Sequence, residues 1–136
     1  MPFVVDASVV VAWALGEVTN IAGEARARLR SDNALVPSLW WFEVRNALVQ
    51  NGRRGRLTEP GTADFLQELS RLAISLDRVP DERMILTLAR RHRLTVYDAA
   101  YLELALRASL PLATLARPLV QAARIEAVPL IGHDAA

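Results

Sequence analysis

Three acidic residues, Asp6, Glu43 and Asp98, each adjoin an apolar run in a chain without cysteine. Asp6 closes "PFVVD", Glu43 lies in "LWWFEVRNALVQNG" and Asp98 precedes "AAYLELALRAS". If they meet they repel, since two carboxylates about 4 Å apart cost roughly 4 kcal/mol at an effective dielectric of about 20. A cation must offset that charge. There is no cysteine, and the two histidines, His92 and His133, are isolated, so thiolate and zinc-cluster sites are excluded and any metal must be held by oxygen. Mg²⁺ and Mn²⁺ suit such donors. Bound there, either ion lowers the pKa of a water and neutralises charge on a phosphoryl oxygen, which is phosphodiesterase chemistry.

Each acid also has a plain structural reading. Asp98 at a helix start can be merely an N-cap. Asp6 before Ala7 and Ser8 can form a local turn or cap, and a lone glutamate such as Glu43 is usually an exposed helix residue. Their joint placement favours the site, because ligands of parallel sheets bind outside the carboxyl ends of the strands.

The elements that must position them alternate along the chain. "PFVVD", "ALVP", "ISLDRV", "PLATL" and "VPLI" read as short buried strands, with a vestigial strand before Asp98. Ser8 is the expected cap of the first helix, and "NIAGEARARLRS" continues as an amphipathic helix with Ile21, Ala25 and Leu29 inward. Ser38 is the expected cap of the next, with Leu39, Phe42, Asn46 and Val49 as its stripe and Gly52 as its stop. Thr58 and Asp81 precede two further helices, and "RPLVQAAR" is the last. The alternation predicts an α/β fold, a parallel sheet covered on both faces, and the "GHDAA" tail is expected to fray.

The length of 136 residues predicts one domain, 1–136, with a core that needs no disulfide. Hydrophobic residues make up 52% of the chain, an excess that predicts apolar surface for a partner. Trp13, Trp40 and Trp41 are candidates for it, with partial burial as the default for at least two of them. The start lacks a cationic leader and the longest apolar run, Val9 to Leu15, is too short for a membrane, so a cytoplasmic protein is expected. All 16 basic residues are arginine. Arg53, Arg54 and Arg56 are candidate phosphate contacts, although a basic loop is more often only solvated.

The runs "VVDASVVVAW", "WFEVRNAL", "YDAAYLELA" and "LATLARPL" together resemble the PIN-domain family, and within it the VapC toxins of bacterial type II toxin-antitoxin pairs. The resemblance implies a three-layer α/β/α sandwich and a metal-dependent ribonuclease whose acidic pocket maps to Asp6, Glu43 and Asp98, bound to Mg²⁺ or Mn²⁺. Ser8 and Thr114 correspond to hydroxyls lining that pocket, and Arg117 beside it is a candidate substrate contact. RNA, with tRNA a common target class, is the implied substrate; a VapB-type antitoxin and a homodimer are the implied partners. The family's T-x-D pattern is broken here by Ala116, so one acid is absent and activity is expected to be reduced. A scaffold that binds RNA or antitoxin without cutting is the rival. Receiver domains need a lysine, and haloacid dehalogenase phosphatases a D-x-D start; this chain has no lysine and has Ser8 at the second position.

Overall fold

Phe3, Val4 and Val5 are wholly buried and form the strand β1 (Phe3–Val5), whose unbroken apolar run is what a parallel strand covered on both faces requires. In the computed structural model, which describes residues 1–133, it pairs in parallel with β2 (Ala34–Pro37) and β4 (Leu112–Ala113). β3 (Ile74–Asp77) extends the sheet beyond β2, giving the order β3-β2-β1-β4. Ser75 and Leu76 on that edge strand are exposed. Among the described residues the expected strand at "VPLI" reduces to one bridge, Leu112 to Leu130, and none lies between His92 and Asp98.

Among the described residues, seven helices flank the sheet: α1 (Ala7–Ala14), α2 (Asn20–Arg28), α3 (Leu39–Arg53), α4 (Glu59–Leu69), α5 (Glu82–His92), α6 (Val96–Ala108) and α7 (Arg117–Ile125). α6 lies on β1 and β2 and packs against α5 and α7, while α1 packs against α2 and α3. A four-stranded parallel sheet flanked by helices is the α/β architecture expected. Among the described residues no helix is long and apolar enough to cross a membrane.

Several local expectations change. α1 starts at Ala7, so Ser8 lies inside its first turn and does not cap it. Ser38 makes no capping bond, and α3 runs through Gly52 to end before Gly55, whose φ of 75° supplies the left-handed turn. The stripe of α3 that packs inward is Trp40, Val44, Leu48 and Asn51, leaving Phe42 and Val49 exposed. Both stripes have helical spacing, and packing chose between them. Trp40 is buried, Trp13 is half-buried with its indole N–H donating to the Ala22 carbonyl at 2.8 Å, and Trp41 is exposed.

Thr95, rather than Asp98, caps α6: its hydroxyl oxygen accepts from the Asp98 N–H at 3.0 Å. The C-terminal turn is docked as far as His133. The Ile131 N–H donates to the Leu112 carbonyl at 2.9 Å, and Gly132, at a φ of 77°, lies where an added Cβ would stand 2.7 Å from Ile21 Cα. Glycine is required there both for the turn and for the close approach. Asp134 to Ala136 of the tail lie outside the described residues.

Candidate active site

Parallel pairing puts the carboxyl ends of β1 and β4 side by side, and the register Val5 with Ala113 brings Asp6 next to Thr114. Asp6 is 5% exposed. Its Oδ2 accepts two hydroxyl hydrogen bonds, from Ser8 at 2.7 Å and Thr114 at 2.8 Å. Those hydroxyls are themselves held, because the Leu115 N–H donates to Ser8 Oγ and the Ala116 N–H to Thr114 Oγ1, each at 3.0 Å. Each thus links Asp6 to the backbone after β4. Thr114 is wholly buried, and its hydroxyl buttresses Asp6. Ser8 has the same bonding pattern.

Glu43 reaches the site from the second turn of α3. Its Oε1 accepts from the Tyr101 hydroxyl at 2.6 Å. Tyr101 follows Asp98 by three residues on α6, so one helix face carries both. The tyrosine belongs to the "YDAAYLELA" motif but was given no role from sequence; its spacing from Asp98 was the available signal. Asp98 is free of capping duty because Thr95 performs it, which removes the plain reading of this acid.

Burial is the main cause that raises the pKa of all three acids. In Asp6 the Ser8 and Thr114 hydroxyls oppose that rise. Glu43 is lowered by Tyr101 but raised further by the charges of Asp6 and Asp98, and Asp98 is raised further by Asp6. The Tyr101 hydroxyl is pushed far up, first by burial and then by Asp6 and Glu43, so it stays a proton donor. No arginine or histidine contributes to any of these shifts. The three carboxylates therefore share one electrostatic environment, and among the described residues none of them makes an ion pair.

Among the described residues, no three histidine, aspartate or glutamate side chains form a ready-made metal cage. The donor set still fits a hard dication in kind and in charge. Mg²⁺ keeps several waters and is held by one or two carboxylates together with substrate phosphate, so a closed protein cage is not its requirement.

Concavities open beside Trp13 and Phe65, beside Leu57 and Leu66, and beside Thr114 and Arg117. Arg117, the first residue of α7, lines the concavity that shares Thr114 with the acid site. Arg56 is engaged with Glu17 at 3.1 Å and with Asn51 at 3.3 Å, whereas Arg53 and Arg54 are exposed. Ala116 occupies the N-cap position of α7 and makes no side-chain capping bond.

The family model of the PIN domain matches residues 3–124. Ribonuclease VapC3 of Pyrobaculum aerophilum is 35% identical over 125 residues, a match spanning 89% of this chain and 94% of that protein. The crystal structure of PAE2754 from Pyrobaculum aerophilum is similar with a TM-score of 0.68 at 27% identity, over 90% of this chain and 87% of that one.

Proposed function

This chain belongs to the PIN-domain family, and on that premise we propose that residues 1–136 form one PIN domain acting as a metal-dependent endoribonuclease, the toxin of a VapBC-type pair. The observation that carries this reading is the buried Asp6 carboxylate, clamped by two hydroxyls beside Glu43 and Asp98, with no cation among the groups that shift their pKa values. A fold gains nothing from such an arrangement by itself.

Asp6, Glu43 and Asp98 would hold Mg²⁺ or Mn²⁺. When bound, the ion supplies an activated water and neutralises charge on the phosphoryl oxygens. Ser8 and Thr114 orient Asp6, leaving its Oδ1 free of the hydroxyl clamp. Tyr101 fixes the rotamer of Glu43 by donating to Oε1. The leaving group is a 3′-hydroxyl, and Arg117 is the phosphate contact beside the site. RNA as substrate is supported by the relative Ribonuclease VapC3. Ala116 removes the family's fourth acid and lowers metal affinity and turnover. A VapB-type antitoxin and a second copy of this chain are the partners. The exposed Phe42 and Val49 on α3 support such an interface, with Trp41 carrying the Arg45 guanidinium 4.1 Å from its ring centroid.

The test is incubation of the native chain and its Asp6→Asn variant with total RNA and Mg²⁺, followed by mapping of the cut ends. EDTA-sensitive product from the native chain alone is expected. The rival reading, a scaffold that binds RNA without cutting it, is favoured by one observation, the alanine at position 116. It would be upheld by RNA affinity without any metal-dependent product.

A further inference from the structure

Arg117, Gln121 and Arg124 follow one another at four and then three residues along α7, so their side chains share a stripe opposite the buried Leu119, Ala122 and Ala123. That stripe lines a cavity of about 320 Å³, closed by Thr114, Ile21, Leu115, Val120 and His133. Two arginines and no acid face it. Arg56, Arg91 and Arg107 are all paired with carboxylates, but among the described residues neither Arg117 nor Arg124 makes an ion pair.

The opposite wall is equally specific. His133 Nε2 is buried and has no hydrogen-bond partner among the described residues. A buried polar atom in that condition is costly unless something fills its remaining valence. The histidine is there because the terminal turn is locked: Gly132 is pressed on the Ile21 backbone and Ile131 is bonded to β4. Thr114 is the wall common to this cavity and to the acid site, since its hydroxyl donates to Asp6.

We propose that this cavity is a nucleotide subsite, taking one unit of a single-stranded RNA next to the bond placed at Asp6. The proposal rests on the ribonuclease reading above. The arginine forks suit a phosphate, and Ile21, Leu115 and Val120 offer an apolar face to a base. Gln121 supplies both a donor and an acceptor for a base edge, and the His133 ring forms part of the same wall. The volume lies at the small end of ligand pockets, which fits one nucleotide and no duplex.

The experiment uses the full chain carrying Asp6→Asn, with EDTA present, and a labelled single-stranded oligoribonucleotide followed by anisotropy over a range of salt. In that background Arg124→Glu is expected to weaken binding roughly tenfold. It should also lower the slope of log K against log salt by about 0.7. His133→Ala should weaken binding several-fold, and Arg83→Glu, an exposed cation on α5, should change it less than twofold. The amide resonances of Gln121 and Gly132 should move with the oligonucleotide. If inorganic phosphate alone moves them equally, the site is a simple anion site and the nucleotide proposal falls. Arg124→Glu and His133→Ala both staying within twofold, while RNA is still bound and the native chain still cuts, would overturn the subsite and spare the nuclease. Absence of both binding and cutting would overturn the nuclease reading, and the subsite with it.

Discussion

Glu103, 1% exposed, and Asp6, 5% exposed, are two buried acids whose surroundings differ in kind. Glu103 accepts from the Arg107 guanidinium at 2.9 Å and from the Asp81 N–H at 2.7 Å, and Arg107 turns its other nitrogens to Asp77, the nearer contact at 2.6 Å. This network ties α6 to β3 and to the start of α5. Asp6 has only neutral partners, the Ser8 and Thr114 hydroxyls and the Ala7 and Ser8 N–H groups, with two further acids nearby. α6 thus carries a compensated charge cluster at Glu103 and Arg107 and, about one turn earlier, Asp98 of an uncompensated one. Buried charge that is paired within the chain serves the fold; buried charge left unpaired marks where something else must bind.

The strongest way to break this contrast is to alter each centre in turn. Asp6→Asn should reduce Mg²⁺-dependent RNA cleavage by more than about 100-fold, since loss of even a residue that only supports a metal ligand costs 10- to 100-fold. The metal-free protein should nevertheless become more stable at neutral pH, because a buried charge has been removed. Arg107→Ala should do the reverse, lowering stability by about 3 kcal/mol by leaving Glu103 buried and unpaired. That figure is the lower end for a buried pair, as the Arg107 side chain is 36% exposed. Urea unfolding in EDTA measures both; equal destabilisation by the two variants would remove the distinction.

Tyr101→Phe sharpens the contrast by leaving all three acids in place. Without the hydroxyl, Glu43 loses its fixed rotamer, and Mn²⁺ binding should weaken 10- to 100-fold. Stability should fall by only about 1 kcal/mol, the net value of one hydrogen bond. Calorimetric titration with Mn²⁺ separates the two effects, and unaltered affinity would rule out a positioning role for Tyr101.

pH distinguishes the centres by sign. Asp6, Glu43 and Asp98 have raised pKa values in the fold, so their contribution is fully present below the ordinary carboxylate value of about 4 and is lost as pH rises through the raised values. Glu126 behaves oppositely. The Arg91 and His92 hydrogen bonds hold its pKa down, so its contribution is present above the ordinary value and is lost as pH falls through the lowered one. The metal-free chain should therefore lose stability from about pH 4 towards neutrality, and saturating Mg²⁺ should flatten that decline. A Mg²⁺ effect as large below pH 4 as at neutrality would contradict it.

Much of this was legible in the residues. The β-α alternation, the caps at Thr58 and Asp81 and the positions of the three acids along their elements follow from local patterns that tertiary packing left intact. α3 misled because "LWWF" places apolar side chains on two faces at once, and only contact with the rest of the core selected Trp40 over Phe42. Asp98 and Thr95, three residues earlier, are both capping residue types, and only the fold of the chain makes Thr95 the cap. The bond from Thr114 to Asp6 lies beyond any local signal, since the two are 108 residues apart. The docking of His133 depends likewise on Gly132 meeting a distant helix.

The smallest expected effect belongs to Ala116→Asp, and it probes both centres together. The alanine begins α7 in an extended conformation, φ −78° and ψ 113°, without a capping side chain. An aspartate there can accept from the free N–H groups of the first turn, which stabilises a helix by about 1 kcal/mol over alanine. It also adds a fourth negative charge two residues from Thr114, whose hydroxyl holds Asp6, and that repulsion offsets part of the gain. In EDTA the net change in urea midpoint should accordingly be close to zero. With Mg²⁺ present the repulsion is neutralised, so the variant should be stabilised and should cut RNA several-fold faster at limiting metal. A gain in stability that is the same with and without Mg²⁺ would show that position 116 serves only the helix end and lies outside the acidic centre.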